Sequence, residues 1–204
     1  MPKSAKDDSV RGRIMAAAMS AFMEQGYTGT STLQIATRAK VSKRDIYAAF
    51  GSKQAVLEAC IADRSQRMTL PSDLPQARTR EEFAKILSGV GKALLREISD
   101  PVVIAVFRLA IAEAIPAPEV AQTLNAQGRQ AARTAIRQVI RQAQDAKLLG
   151  AGAPEDLTDL FFALMWKGLL LDLILGVAAT PDPAEIDRRV EDAAKAFLIL
   201  HPAP

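Results

Sequence analysis

The chain has 204 residues, of which 49% are hydrophobic, 24% charged and 5% aromatic, a balance typical of a folded globular protein. Its only cysteine, Cys60, excludes an internal disulfide framework and a multi-cysteine zinc site. Its only histidine, His201, argues against a histidine-based catalytic or metal centre. We therefore expect no catalytic residues, no metal, no cofactor and no enzymatic activity.

Positive charge is concentrated in the first quarter of the chain. Residues 1–53 contain nine Lys and Arg against four Asp and Glu, whereas the remainder contains seventeen against nineteen. The formal net charge of +3 therefore combines a basic N-terminal segment with a mildly acidic body. Clustered positive charge on a small module is typical of nucleic-acid binding.

Apolar spacing and capping residues predict helices in chain order after a frayed tail over 1–9. Ile14, Ala18 and Phe22 share one face of a first helix that closes at Gly26. Further helices are predicted over 32–39, 43–49, 52–66, Arg80–Ser99, Pro101 to Pro116 or Pro118, Glu119–Leu149, Pro154–Ala178 and Ala184–Leu200. No stretch alternates polar and apolar residues long enough for a strand, so the predicted fold is all-α.

Two domains are expected, with a boundary in the segment Met68–Arg80, which carries Pro71 and Pro75. The first would span 10–66, and the second, a larger helical domain, would span 80–201. The apolar stretch Leu160–Ala179 is long enough to suggest a membrane span. It carries Lys167 and Asp172 near its middle, so we interpret it as a buried helix of a cytoplasmic protein.

The segment Thr30–Lys53 contains two capping signatures. Ser31 with Gln34, and Ser42 with Asp45, each fit a capping box at the start of a short helix. Apolar residues such as Ile35 and Ile46 would hold the two helices at a fixed angle, which leaves the polar side chains of the second helix facing outward. A helix with such a face fits the major groove of DNA.

Residues 10–60 resemble the N-terminal domain of the TetR-type (tetracycline-repressor family) transcriptional regulators. The resemblance is carried by the strings IMAAAMSAFMEQGYTGTS, IATRAKVS and IYAAFGSKQAVL. It implies that Ser31 and Thr32 contact phosphate, and that Ser42, Lys43 and Arg44 open the recognition helix and reach base edges. It also implies phosphate contacts for Tyr47 and Lys53, and a partner in double-stranded operator DNA.

Three positions depart from the family pattern. Lys40 replaces the usual turn glycine, where the backbone can require a positive φ. Asp45 stands where threonine is common, and it can either cap the helix or accept a hydrogen bond from cytosine. Ala49 replaces a frequent histidine, so one expected backbone contact is absent. These departures bear on the operator sequence rather than on the class of protein.

The resemblance also implies that the first domain, 10–66, is a three-helix helix-turn-helix domain, and that the second, 80–201, serves effector binding and dimerisation. We expect the C-terminal part to hold a small-molecule effector of unknown identity in an apolar cavity. Apolar residues at helical spacing are more often core than cavity wall, and charged ones can equally be surface charges. The candidate walls are Phe83, Leu87, Leu94, Phe107, Ile111, Leu124, Phe161, Phe162 and Trp166, and the candidate polar contacts are Arg108, Glu113 and Arg129.

A homodimer is predicted because the helix over Leu157–Leu175 is apolar nearly all round, so one face needs a second cover. The candidate interface residues are Leu164, Leu171, Leu175, Val190, Ala194 and Phe197. The function predicted from these features is a homodimeric repressor released from a pseudo-palindromic operator by a small hydrophobic ligand. The alternatives are an activator, a regulator that answers to a protein, and a helical carrier of a hydrophobic ligand without sequence-specific DNA binding. Cys60 is expected in the core.

Overall fold

The computed structural model describes residues 9–68 and 75–204, apart from the side chain of Arg67, and this part of the chain is helical with no strand. The all-α prediction is confirmed. The helices are α1 Val10–Gly29, α2 Thr32–Ala39, α3 Lys43–Phe50, α4 Lys53–Ser65, α5 Arg80–Ile98, α6 Pro101–Ala112, α7 Pro118–Thr123, α8 Gln130–Asp145, α9 Pro154–Trp166, α10 Leu169–Leu175 and α11 Pro183–Leu200. Of the predicted tail over 1–9, residues 1–8 lie outside the described residues, and so do residues 69–74 of the predicted boundary segment Met68–Arg80.

The chain divides into two compact units, and the first is larger than the sequence indicates. Its described residues are 9–66 and 105–129, so the end of α6, all of α7 and the segment after it pack with the four N-terminal helices. The described residues of the second unit are 67–68, 75–104 and 130–204. The predicted second domain, 80–201, is therefore shared between the two units.

The core of the first unit surrounds α1. Ile14, Ala18 and Phe22 of this helix are buried against α2 and α4. Cys60 of α4 belongs to the same core, as predicted, and its Sγ lies 3.5 Å from the carbonyl oxygen of Met15. Burial raises the pKa of the Cys60 thiol to about 12.

The core of the second unit is built from α5, α8, α9 and α11, whose inward faces repeat at helical spacing. Phe161 of α9 and Phe197 of α11 are fully buried, with ring centroids 5.8 Å apart in an edge-to-face arrangement. Leu87 of α5 and Ile136 of α8 are equally buried.

The long helix predicted over Glu119–Leu149 is interrupted, so this prediction is wrong in its detail. Leu124–Arg129 forms a π-helical segment between α7 and α8, and it packs on α4. A Cβ atom on Gly128 would lie 3.1 Å from Leu124 Cδ1, so glycine here leaves room for the Leu124 side chain. The π segment also ends the first unit, since the second resumes at Gln130. Residue spacing alone does not distinguish a π segment from a continuous α-helix.

The apolar stretch Leu160–Ala179 is likewise two helices rather than one. Lys167 and Gly168 both adopt positive φ, at 42° and 90°, and they end α9 and begin α10. In the described part of the chain, no helix has both the length and the apolar character needed to cross a membrane.

Two glycines of α5 give a test of how closely the second unit packs. A Cβ atom on Gly91 would lie 2.8 Å from Val190 Cγ1 and 3.2 Å from Phe161 Cζ, whereas one on Gly89 would meet nothing within 4 Å. We expect Gly91→Ala to lower the free energy of unfolding by about 1–3 kcal/mol, because both neighbours are buried and cannot move freely. The matched variant Gly89→Ala should raise it by about 0.5–1 kcal/mol through helix propensity. Urea unfolding measures both, and equal stability of the two variants would contradict this packing.

Candidate nucleic-acid interface

Both short helices of the N-terminal module begin with the capping boxes that the sequence predicts. The Ser31 side chain accepts from the Gln34 N–H, and the Gln34 side chain accepts in return from the Ser31 N–H. Ser42 and Asp45 make the same reciprocal pair at the start of α3. The Asp45 carboxylate is therefore a helix cap, and its hydrogen bonds with Ser42 lower its pKa below the usual value.

The turn between α2 and α3 uses a lysine in the left-handed region. Lys40 has φ 53° and ψ 48°, which confirms that this position requires a positive φ. Its N–H and that of Val41 both donate to the Ala36 carbonyl and so close the end of α2. A non-glycine residue pays a conformational penalty here, of about 1–2 kcal/mol.

The predicted recognition helix α3 has one fully buried side chain, half-buried Ala49 and Phe50 at its end, and an exposed polar face. Ile46 is fully buried, whereas Lys43, Arg44 and Asp45 are exposed and Tyr47 is about half exposed, at 48%. Lys43 Nζ lies 5.7 Å from the centre of the Tyr47 ring. Arg44 makes no hydrogen bond or ion pair with any described residue. The helix therefore presents two cations, a carboxylate and a phenol to solvent.

Contacts from α1 fix the two short helices in place. The Arg38 guanidinium of α2 donates to both carboxylate oxygens of Glu24, which lowers the pKa of Glu24 to about 2. The Arg11 guanidinium donates to the Ala49 carbonyl at 2.7 Å and lies 4.1 Å from the Phe50 ring centre. Sequence reasoning missed Arg11, because its partners lie 38 and 39 residues away and no local pattern marks them.

The Gly26–Thr30 segment leads from α1 into α2. Gly26 kinks α1 with φ 77° and ψ 165°, and one further helical turn follows, so the predicted closure of α1 at Gly26 is a kink. The Thr30 hydroxyl donates to the Ala21 and Gly26 carbonyls. This segment sets where the N-terminus of α2 begins.

Lys53 lies against this segment rather than projecting into solvent. Its ammonium donates to the Tyr27 and Thr30 carbonyls at 2.8 and 3.0 Å and lies 4.2 Å from the Tyr27 ring centre. Burial lowers its pKa. Two of its three donors are thus used inside the first unit, and the phosphate contact predicted for Lys53 remains a prediction.

Comparison with known proteins identifies the module. Residues 14–60 match the sequence profile described as "Bacterial regulatory proteins, tetR family", and residues 85–200 match that of the "AefR-like transcriptional repressor, C-terminal domain". The second match alone spans more than half of the chain. The chain belongs to the TetR family. Membership indicates a DNA-binding transcriptional regulator with a helix-turn-helix, rather than an enzyme.

Individual relatives agree with the family assignment. An uncharacterized HTH-type transcriptional regulator, YvkB of Bacillus subtilis (strain 168), is 36% identical over 86 residues. This match covers 42% of the chain and 43% of YvkB, so it spans less than half of the curated relative. The crystal structure of a TetR regulator from Agrobacterium tumefaciens is 24% identical, with a TM-score of 0.79 and 96% coverage of both chains. The flavonoid-responsive regulator FrrA is 25% identical, with a TM-score of 0.77 and coverage of 95% of this chain and 97% of its own.

The twelve residues predicted for an effector pocket of this TetR regulator do not line one cavity within either unit. Phe107, Arg108, Ile111, Glu113, Leu124 and Arg129 lie in the first unit, and the other six lie in the second. Of those six, Leu87, Leu94 and Phe161 are buried core residues, whereas Phe83 is buried and lines a cavity between α5 and α8. Phe162 and Trp166 line an open apolar groove of 430 Å³ on α9 and α10. Helical spacing alone could not separate core residues from cavity walls.

Glu113 has a role that the sequence did not reveal. It was predicted to orient a ligand, but its carboxylate accepts hydrogen bonds from the Thr28 N–H at 2.9 Å and the Thr28 hydroxyl at 2.5 Å. Burial raises the pKa of this carboxyl, but hydrogen bonds from Thr28 and from the Tyr27 backbone outweigh it, so the pKa lies below its usual value. Of the other polar candidates, Arg129 donates to Asn125 at 3.3 Å.

The residues predicted for a dimer interface fall into two groups. Val190, Ala194 and Phe197 are buried within the single chain, so their assignment to a surface is wrong. They occupy the inward face of α11, which the apolar pattern alone did not orient. Leu171 and Leu175 of α10 are exposed, at 59% and 65%, while Leu164 is half-buried.

Proposed function

We propose that the chain is a repressor that binds a pseudo-palindromic DNA operator as a homodimer and releases it on binding a small ligand. The observation that carries the proposal is the exposed face of α3. A helix anchored by Ile46 and capped by Ser42 offers the Lys43 and Arg44 side chains to solvent, and neither is hydrogen-bonded to any residue within 9–68 or 75–204. Such a repressor would act in the cytoplasm, where bacterial DNA is found.

The two short helices divide the work of DNA binding. Arg44 is suited to read guanine, since a guanidinium can donate to O6 and N7 together, worth about 1–3 kcal/mol of discrimination. Tyr47, one turn beyond Lys43, can donate its phenol to a phosphate. The N-terminus of α2, with Ser31 and Thr32, offers N–H and hydroxyl donors to another phosphate. Asp45 is fixed as the cap of α3. Its exposed negative charge would repel a DNA phosphate placed close to it, and this repulsion contributes to the choice of DNA sequence.

A homodimer is supported by the apolar surface of the second unit. The groove on α9 and α10 is lined by Phe162, Trp166, Leu171 and other apolar side chains, with almost no polar surface. Leu175, at the end of α10, is a further exposed apolar side chain. A second copy of the chain would cover the groove and give the two-fold symmetry that a pseudo-palindromic operator requires.

An effector site is supported by a cavity of 240 Å³ between α5 and α8 in the second unit. Phe83, Ile86 and Val139 form its apolar side, and Gln142 and Asp145 contribute polar groups. The volume lies just below the usual range for drug-sized ligands, so we infer a small amphipathic ligand. The Asp145 carboxylate favours a hydrogen-bond donor or a cationic group on that ligand.

The DNA-binding part is tested by selection from random duplex DNA at about 0.15 M salt, close to physiological ionic strength. We expect wild-type protein to enrich an inverted repeat, and the double variant Lys43→Ala/Arg44→Ala to lose the enrichment. Both side chains are exposed and make no hydrogen bonds with the protein, so the double variant should unfold like wild type. A protein that binds the effector cavity's ligands but enriches no sequence would instead be a carrier of hydrophobic molecules.

Dimerisation is tested by charging the groove. We expect Leu171→Glu to weaken self-association at least about a hundredfold, because the carboxylate would be buried without a partner. Sedimentation should then give a species of 21.9 kDa, the mass of one chain. The matched control is Ile115→Glu in the first unit, where the isoleucine is 94% exposed and the dimer should persist. A wild-type protein that sediments as a monomer at micromolar concentration contradicts the proposal.

The effector site is tested by blocking the cavity. Ala146, the residue after α8, lines it, so Ala146→Phe should fill it, while Gln130→Phe places the same ring on an exposed position at the start of α8. Suitable probes are a small aromatic amine, chosen for Asp145, and a flavonoid, since FrrA responds to that class. We expect a probe that releases wild-type protein from DNA to act on Gln130→Phe and to lose at least about tenfold in potency on Ala146→Phe. Equal potency on both variants would place the site elsewhere.

A further inference from the structure

Glu113 occupies an unusual position for a carboxylate. It is the residue directly after α6 and belongs to the first unit. Only 6% of its surface is exposed. In the described part of the chain, no cation forms an ion pair with it within 4 Å. The carboxylate is held instead by hydrogen bonds, which outweigh the effect of burial and keep its pKa below the usual value. Its geometry therefore points to a positional role.

The Glu113 carboxylate and the Gly26–Thr30 segment fit each other closely. Oε1 accepts from the Thr28 N–H and Oε2 from the Thr28 hydroxyl, so both oxygens hold the same residue. A Cβ atom on Gly26 would lie 2.8 Å from Oε1. Glycine at this position therefore gives the positive φ of the kink and also leaves room for the carboxylate.

Lys53 binds the carbonyl groups of the same segment. Glu113 accepts from its donors, whereas the Lys53 ammonium donates to the Tyr27 and Thr30 carbonyls. Thr30 is buried and directly precedes Ser31, the cap of α2. The starting point of α2 is thus fixed from one side by the start of α4 and from the other by the residue that ends α6.

We propose that Glu113 is a positioning residue for DNA binding, which holds the N-terminus of α2 where it can contact a phosphate. The proposal rests on the DNA-binding function and adds to it a residue outside the helix-turn-helix. Without the carboxylate, the Thr28 donors lose their acceptor and the Gly26–Thr30 segment can shift. The α2 contact should then weaken, while the contacts of α3, anchored separately by Ile46, should remain.

The test measures DNA affinity and the contacted phosphates for Glu113→Ala and Glu113→Gln. The probes are the duplex enriched by wild-type protein and a mixed-sequence duplex, so the effect is measured even if no sequence is enriched. We expect Glu113→Ala to bind at least about tenfold more weakly, since it removes two hydrogen bonds to a charged acceptor. Glu113→Gln should stay within about threefold of wild type, because its amide can still accept from the Thr28 N–H and donate to the hydroxyl.

Phosphate ethylation interference separates positioning from a general loss of stability. Two marker variants identify the contacts: Thr32→Val removes a hydroxyl at the start of α2, and Tyr47→Phe removes one from α3. We expect Glu113→Ala to lose the phosphates that Thr32→Val loses and to keep those that Tyr47→Phe loses. A uniform loss at all phosphates, or an affinity equal to that of wild type, overturns the proposal.

Two further variants control for the loss of charge and for the loss of stability. Glu119→Ala removes the same charge from the same unit without removing a hydrogen bond, so it should bind DNA at least as well as wild type. If Glu113→Ala melts far below wild type, Thr28→Val decides instead, because Thr28 is exposed and the change removes only the hydroxyl donor. We expect about threefold weaker binding for Thr28→Val, and unchanged binding by that variant overturns the proposal.

Discussion

The placement of the DNA-binding helices depends on how one short segment satisfies its own backbone. The Gly26–Thr30 segment leaves the α1 direction at a glycine with φ 77°, so its N–H and carbonyl groups cannot all be paired within a helix. Glu113 accepts a hydrogen bond from an N–H group of the segment, and Lys53 donates to two of its carbonyl groups. Both partners come from outside α2 and α3, since Lys53 begins α4 and Glu113 follows α6. The position of α2 is therefore a property of the whole first unit, including the end of α6.

The recognition helix is built so that almost nothing inside the protein competes for its outer face. Ile46 is its buried anchor, and the Ser42–Asp45 box satisfies its first backbone donors. Arg11 reaches from the start of α1 to the Ala49 carbonyl and so ties down its last turn. Secured at both ends and at its centre, α3 can leave Lys43 and Arg44 exposed at little cost in stability.

The features that could be predicted from the sequence are those set by neighbouring residues. Capping boxes involve residues three apart, and the turn at Lys40 follows from the end of a short amphipathic helix, so α2 and α3 were predicted nearly to the residue. The π segment at Leu124–Arg129 packs on α4, and the apolar spacing ran through it without interruption. The break at Lys167 had a local signal in Gly168, whose φ is 90°, but the apolar spacing ran through it as well. The same limit applies to Glu113, whose partner Thr28 lies 85 residues away. It also applies to Phe197. The apolar pattern showed that this face of α11 is covered, but not whether the cover is the same chain or a second copy.

The buried thiol in the core of the first unit has a practical consequence. Cys60 is the chain's only cysteine, and at a pKa of about 12 it forms almost no thiolate at neutral pH. Thiol reagents should therefore treat the native protein as though it had no cysteine. A single cysteine introduced at the exposed Ala48 of α3 would then carry one spectroscopic label per chain. In a dimer, the distance between two such labels would report the separation of the recognition helices directly, without DNA and without altering the residues that read it.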